Sequence, residues 1–185
     1  MSVAFCAAWI NEVTLVLPHD WTRDVPAETA EGNTIYLSTC WTSPHSKITL
    51  TATVSSTGQS SADICCDGWS IEAENLSPTA LAAAIATATT YGVQPDAPDL
   101  SASFVGVSLA YHDWQSASYA NEPVQMRRWM SPDGNRVFDY IRRIKSGTSV
   151  FVIHRISPGR PAVEAAITAD GSTPAAVLLS IAMSD

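Results

Sequence analysis

The chain has 185 residues, 46% of them apolar and 15% charged, with a formal net charge of −8. A chain so rich in apolar and poor in charged side chains is not disordered, and its length favours one domain burying roughly 70% of its unfolded surface. Overall acidity argues against non-specific nucleic-acid binding, which draws its affinity from neutralising phosphates, and no run approaches the ~18 apolar residues of a spanning helix.

The charge is unevenly spread. Residues 1–125 hold 2 basic and 13 acidic side chains, residues 126–160 hold 8 and 2, and residues 161–185 add 3 acids. Eight of the ten cations are Arg, beside 26 Ala, a usage that accompanies GC-rich bacterial genomes. The opening residues Met1–Ile10 lack the basic start of a secretory signal, and Glu12 cuts their apolar run short. They are expected to begin the fold in a cytoplasmic protein, although a mature secreted domain is compatible with the same residues.

In chain order, Val13–Leu17 is a short β-rich run halted by Pro18, and Thr34–Trp41 a second strand. In residues 47–54, Ile48, Leu50, Ala52 and Val54 alternate with Thr and Lys, which predicts a strand with one wet face. Ile64–Cys66 and Trp69–Ile71 form a hairpin around Asp67-Gly68 or an irregular segment. Ser77 caps and Pro78 opens a helix over residues 78–91, stopped by Gly92. Phe104–Tyr111 reads as a strand and residues 112–123 as a polar, aromatic connection. Residues 124–130, 136–145 and 148–157, separated by turn residues, form an antiparallel meander. Residues 162–169 suggest a short helix, and Ser172-Thr173-Pro174 caps a terminal one. No internal repeat or linker divides the chain, so the expectation is one α+β domain over residues 1–185. Its single antiparallel sheet would have about six strands, carrying the 78–91 helix and a C-terminal helix. The expected core includes Ile48, Leu50, Val54, Leu81, Ile85, Val107, Leu109, Ile141, Val150, Val152 and Leu178.

Chemistry-bearing patterns are sparse. Cys6, Cys40, Cys65 and Cys66 lack C-x-x-C spacing and the four His are scattered, so no metal site or cofactor is expected. Free thiols are favoured, with a bridge from Cys40 to Cys65 or Cys66 as the alternative. His19-Asp20 and His112-Asp113-Trp114 invite a carboxylate-oriented base, yet sequence neighbours on strands point to opposite faces. No G-x-S-x-G, glycine-rich phosphate loop or H-E-x-x-H occurs, so no catalytic residue is nominated. The Arg-rich meander is more distinctive. Arg136, Phe138, Tyr140 and Arg142 share a strand face, and with Arg128 they suit planar anions, stacked bases or an acidic peptide. A solvated face with internally paired Arg heads is the competing reading.

An early strand runs into Leu17-Pro18-His19-Asp20-Trp21, a central helix follows, and the meander precedes a helical finish. This order of elements is similar to the PsbP-like group of α+β sandwiches, which includes DcrB-type and LpqN-type proteins and secretion-effector chaperones. The resemblance implies a non-enzymatic binding module or chaperone and supplies no catalytic residues. Three functions stay in play. The first is a bacterial adaptor or secretion-associated chaperone that grips another protein through exposed loop aromatics Trp21, Trp41, Trp114 and Tyr119. The second is an enzyme or binder of an anionic small ligand held by Arg128, Arg136 and Arg142. The third is an immunity or anti-defence protein that neutralises a partner through its acidic surface. A homodimer is compatible with all three.

Overall fold

A computed structural model describes residues 3–91, 95–96, 98–121, 123–156 and 163–184. Ile10, Val13 and Leu17 are buried at spacings of three and four residues, so the first apolar stretch is helical: α1 spans Val3–Val16. The strand expected at Val13–Leu17 is therefore corrected. Local β propensity yields to a helical stripe that the core can bury.

Short β1 (Thr22–Arg23) and β2 (Ala27–Glu31) precede β3 (Thr34–Thr42), β4 (Thr49–Ser55), β5 (Ser60–Cys66) and β6 (Trp69–Glu74). Gly68 turns the last hairpin at φ +94°, a conformation open to glycine. The helix α2 covers Pro78–Tyr91 as expected, with the Ser77 hydroxyl accepting the Ala80 N–H at 3.2 Å. Its expected stop, Gly92, lies outside the described residues. Pro98–Tyr111 forms α3, which corrects the strand expected at 104–111. Ala102, Val105 and Leu109 are buried at helical spacing, while Val107, expected in the core, faces solvent.

The expected polar connection is a strand, β7 (Gln115–Asn121). It leads into the meander β8 (Val124–Met130), β9 (Arg136–Arg143) and β10 (Ser149–Ile156). The short helix expected over residues 162–169 is corrected: Val163–Asp170 forms β11, because β6 and β10 offer it ladders on both sides. The terminal helix α4 spans Ala175–Ala182.

One antiparallel sheet results, in the order β1-β3-β4-β5-β6-β11-β10-β9-β8-β7, with β2 also on β3. It has eleven strands where about six were expected. Across the helical layer, α1 lies against α2, α2 against α4, and α4 against α3. Helix-facing Trp41, Leu50, Ile64, Ile71, Phe138 and Phe151 join buried residues of all four helices in one core. Of the expected core, Ile141, Val150 and Val152 are half-buried, because their positions lie on the sheet face that the helices leave open.

The element order repeats: α1, a meander and α2 are followed by α3, a meander and α4. Registers repeat as well. Trp41 faces Leu50, which faces Ile64; Trp129 faces Phe138, which faces Ile153. The turns agree too, since the Ser43 N–H donates to the Ile48 carbonyl at 3.0 Å and the Ser131 N–H to the Arg136 carbonyl at 3.0 Å. The chain is thus two copies of one α-meander-α pattern, joined where β6 pairs antiparallel with β11. This corrects the expectation of no internal repeat. The missed signal is His-Asp-Trp at 19–21 and 112–114, followed by Trp-x-Ser-Pro at 41–44 and 129–132.

Candidate functional site

The loop aromatics do not form an exposed set. Trp21, Trp41 and Trp114 are 8%, 1% and 6% exposed, so the expectation that they are solvent-facing anchors is corrected. They belong to the repeated framework: Trp21 and Trp114 follow the first helix of each half, and Trp41 lies near the end of β3 with the Arg23 guanidinium 5.5 Å from its ring centroid. Tyr119 lies on β7, opposite Met126.

The arginines are divided by the sheet. Arg128 lies on the open face and forms a bidentate pair with Asp139, Nε–Oδ1 and Nη2–Oδ2 both 2.7 Å. Arg136 and Arg142 share the helix-facing side of β9 with buried Phe138 and Tyr140. Arg136 donates from Nη1 to the Ala182 carbonyl at 2.9 Å, where a cation favours the C-terminal end of α4. A joint patch of Arg128, Arg136 and Arg142 is therefore not formed, because the register sets even positions of β8 against odd positions of β9, and Arg128 faces away from Arg136 and Arg142.

Cys40, Cys65 and Cys66 are free thiols. Burial, then the carboxylates of Asp63, Asp170 and Glu72, push the Cys65 thiol above its ordinary value, which disfavours a nucleophilic thiolate. Burial likewise raises the carboxyl of Asp63, which faces Glu72 across the ladder. No group of three or more His, Cys, Asp or Glu among the described residues is arranged to hold a metal ion.

A different surface stands out on the outer side of the second half. Leu100, Phe104, Val107 and Tyr111 are 51%, 56%, 72% and 84% exposed. Their spacings of four, three and four residues put them in one row along α3. Beside the row lies a groove of about 530 Å³ between α3 and strands β7 and β8. Small residues open it: Ser103, Gly106 and Ala110 on the helix, Ser116 and Ser118 on β7. A Cβ on Gly106 would stand 3.0 Å from the Trp129 ring, so this glycine lets α3 approach Trp129 of β8 closely. Arg127, exposed on the helix-facing side of β8, lines the same groove and forms no salt bridge among the described residues.

The two outer edges of the sheet contrast. At one, β1 and β2 are separated by Pro26, and Arg23, Asp24, Glu28 and Glu31 charge the segment. Short, charged, proline-broken edges resist pairing with other chains. At the other, β7 runs seven residues, Gln-Ser-Ala-Ser-Tyr-Ala-Asn, without charge or proline.

The chain matches no protein-family model, no curated protein and no solved structure. No helix among the described residues is long and apolar enough to cross a membrane. The α3 row was not found from sequence because Phe104–Tyr111 reads locally as a strand; its spacing becomes visible once Pro98 is taken as the first helical residue.

Proposed function

We propose that the chain is a non-catalytic protein-binding module, an adaptor or chaperone in kind, that contacts its partner through the outer side of α3. The exposed row Leu100–Phe104–Val107–Tyr111 carries this reading. A helix needs one apolar side to pack, and α3 already has one in Ala102, Val105 and Leu109. A second apolar side contributes nothing to the fold of the isolated chain and marks a surface that another protein covers. Aromatic side chains in such a row supply large contact area, and Arg127 beside it supplies a charged contact. Kinship with the PsbP-like binding modules belongs to the same proposal and rests on the central helix α2 and on the meander before a helical finish, since the Leu17–Trp21 run follows a helix and residues 104–111 lie in one.

The test is a Phe104→Ser/Val107→Ser double variant beside the wild type, each used to retain proteins from cells of the source organism. The expected result is an unchanged melting temperature and loss of a protein that the wild type retains. Retention of the same proteins by both forms would overturn the proposal.

A further inference from the structure

We infer that the partner enters as an extended strand that pairs with the free edge of β7, seats alternate apolar side chains in the α3–β7 groove, and sets a carboxylate against Arg127. This rests on the protein-binding reading above and adds the form and chemistry of what is bound.

Three observations converge on one side of the molecule. Among the described residues β7 pairs only with β8, so its outer edge offers backbone donors and acceptors, and its sequence carries neither charge nor proline to deter an added strand. An incoming strand would run about 4.8 Å from β7, with every second side chain on the helix-facing side. There lies the open groove of about 530 Å³, whose lining by Gly106, Ser103, Ala110, Ser116 and Ser118 leaves room for side chains from outside. Arg127 opens into the same groove, and an exposed guanidinium selects a carboxylate over a neutral or basic residue.

Main-chain pairing would supply affinity and the groove with Arg127 would supply selectivity, the division of labour in recognition by strand addition. A helical partner could cover Phe104 and Val107, yet it would leave the groove empty and the β7 edge to water. A second copy of the chain meets no net repulsion here, because residues 98–182 hold eight basic and seven acidic side chains, but its own β7 brings no carboxylate to Arg127.

The experiment selects from a library of random peptides long enough to pair with all of β7, using the full chain as bait. Enriched peptides are then measured by fluorescence anisotropy. The expected peptides carry apolar residues at i, i+2 and i+4 with an Asp or Glu, and bind Arg127→Glu about tenfold more weakly. Exchanging the peptide's acid for Lys should restore binding to that variant. Methylating backbone nitrogens of alternate peptide residues should abolish binding in one phase and spare it in the other. Enrichment of helical spacing, or indifference to methylation in both phases, would overturn strand addition while leaving protein binding by α3 intact. Failure to enrich any sequence would overturn it as well. So would a dimer in sedimentation that a Ser118→Pro substitution dissociates, since a second copy would then occupy the edge. The Phe104→Ser/Val107→Ser comparison reports separately on the protein-binding reading.

Discussion

On the open face of the sheet the first half carries Ser38, Thr49, Thr51, Thr53, Asp63 and Glu72, while the second carries Met126, Ile141, Val150 and Val152 around Arg128 and Asp139. In the frameworks underneath, β3 to β6 correspond to β8 to β11, and the broken pair β1 and β2 to the continuous β7. Cys40 faces Thr51 at the register position where Arg128 faces Asp139. Helix-facing positions that the helices cover, such as Leu50 and Ile64 or Phe138 and Phe151, are apolar in both halves because one core requires it. Open-face and outer-helix positions are free of that requirement, so contrasts there reflect something other than folding. Residues 3–91 hold two basic and nine acidic side chains, against eight and seven in residues 98–182. The first half thus offers a polar, acidic surface, and the second an apolar one with an unblocked edge.

The largest expected effect breaks both halves at once. Ile71 is fully buried beside the β6–β11 ladder, and Ile71→Ala should lower stability by about 2–5 kcal/mol. Tryptophan fluorescence and circular dichroism should report a single coincident transition in denaturant, because α2 and α4 pack together over the junction. Two separate transitions would show that the halves are independent units.

Next in size is Arg128→Ala. It leaves the carboxylate of Asp139 buried without its bidentate partner, at a cost of about 1.5–3 kcal/mol. Cys40→Ala, at the equivalent position of the first half, should cost less than half as much. Equal losses in parallel denaturant titrations would show that the ion pair contributes little beyond its packing.

The smallest effect is a pH dependence confined to the first half. Burial raises the carboxyl of Asp63, so the folded state favours its neutral form. That advantage is complete below the ordinary carboxylate value and is lost as pH rises through the raised one. Asp63→Asn should therefore match the wild type in acid and be the more stable protein near neutrality, with relief of the like charge on Glu72 acting in the same direction. Melting curves across that range would check it, and a constant offset at every pH would contradict it.

Much of the second meander was legible because its turns carry Pro, Asp, Asn and Gly between β-rich runs, and the 78–91 helix because Ser77-Pro78 marks its start. The flanking helices α1 and α3 were not. Val-Thr-Leu-Val-Leu and Phe-Val-Gly-Val have β preferences locally, and only the buried triads Ile10, Val13, Leu17 and Ala102, Val105, Leu109 reveal the helical period. The strand β7 escaped because Gln115 through Ser118 are all exposed and show no alternation of polarity. The expected patch of Arg128, Arg136 and Arg142 fails for a geometric reason: Arg128 pairs with Asp139 on the open face, while Arg136 and Arg142 lie on the other. Its sequence neighbour Arg127, outside the expected patch, is the exposed Arg of the groove.

Every adjacent pair of strands in the long path from β3 to β7 is a sequence-neighbour hairpin except one, β6 with β11. During synthesis the first meander can close on contacts made within itself, but its last edge must wait for a strand that begins about ninety residues later at Val163. Loop closure over that span, rather than any hairpin, is then the slow event in folding, as expected where non-local pairing limits the rate. Until it happens the half-made protein exposes Ile71 and Ala73 along an unpaired edge, so the nascent chain is most open to aggregation after its first half has already folded.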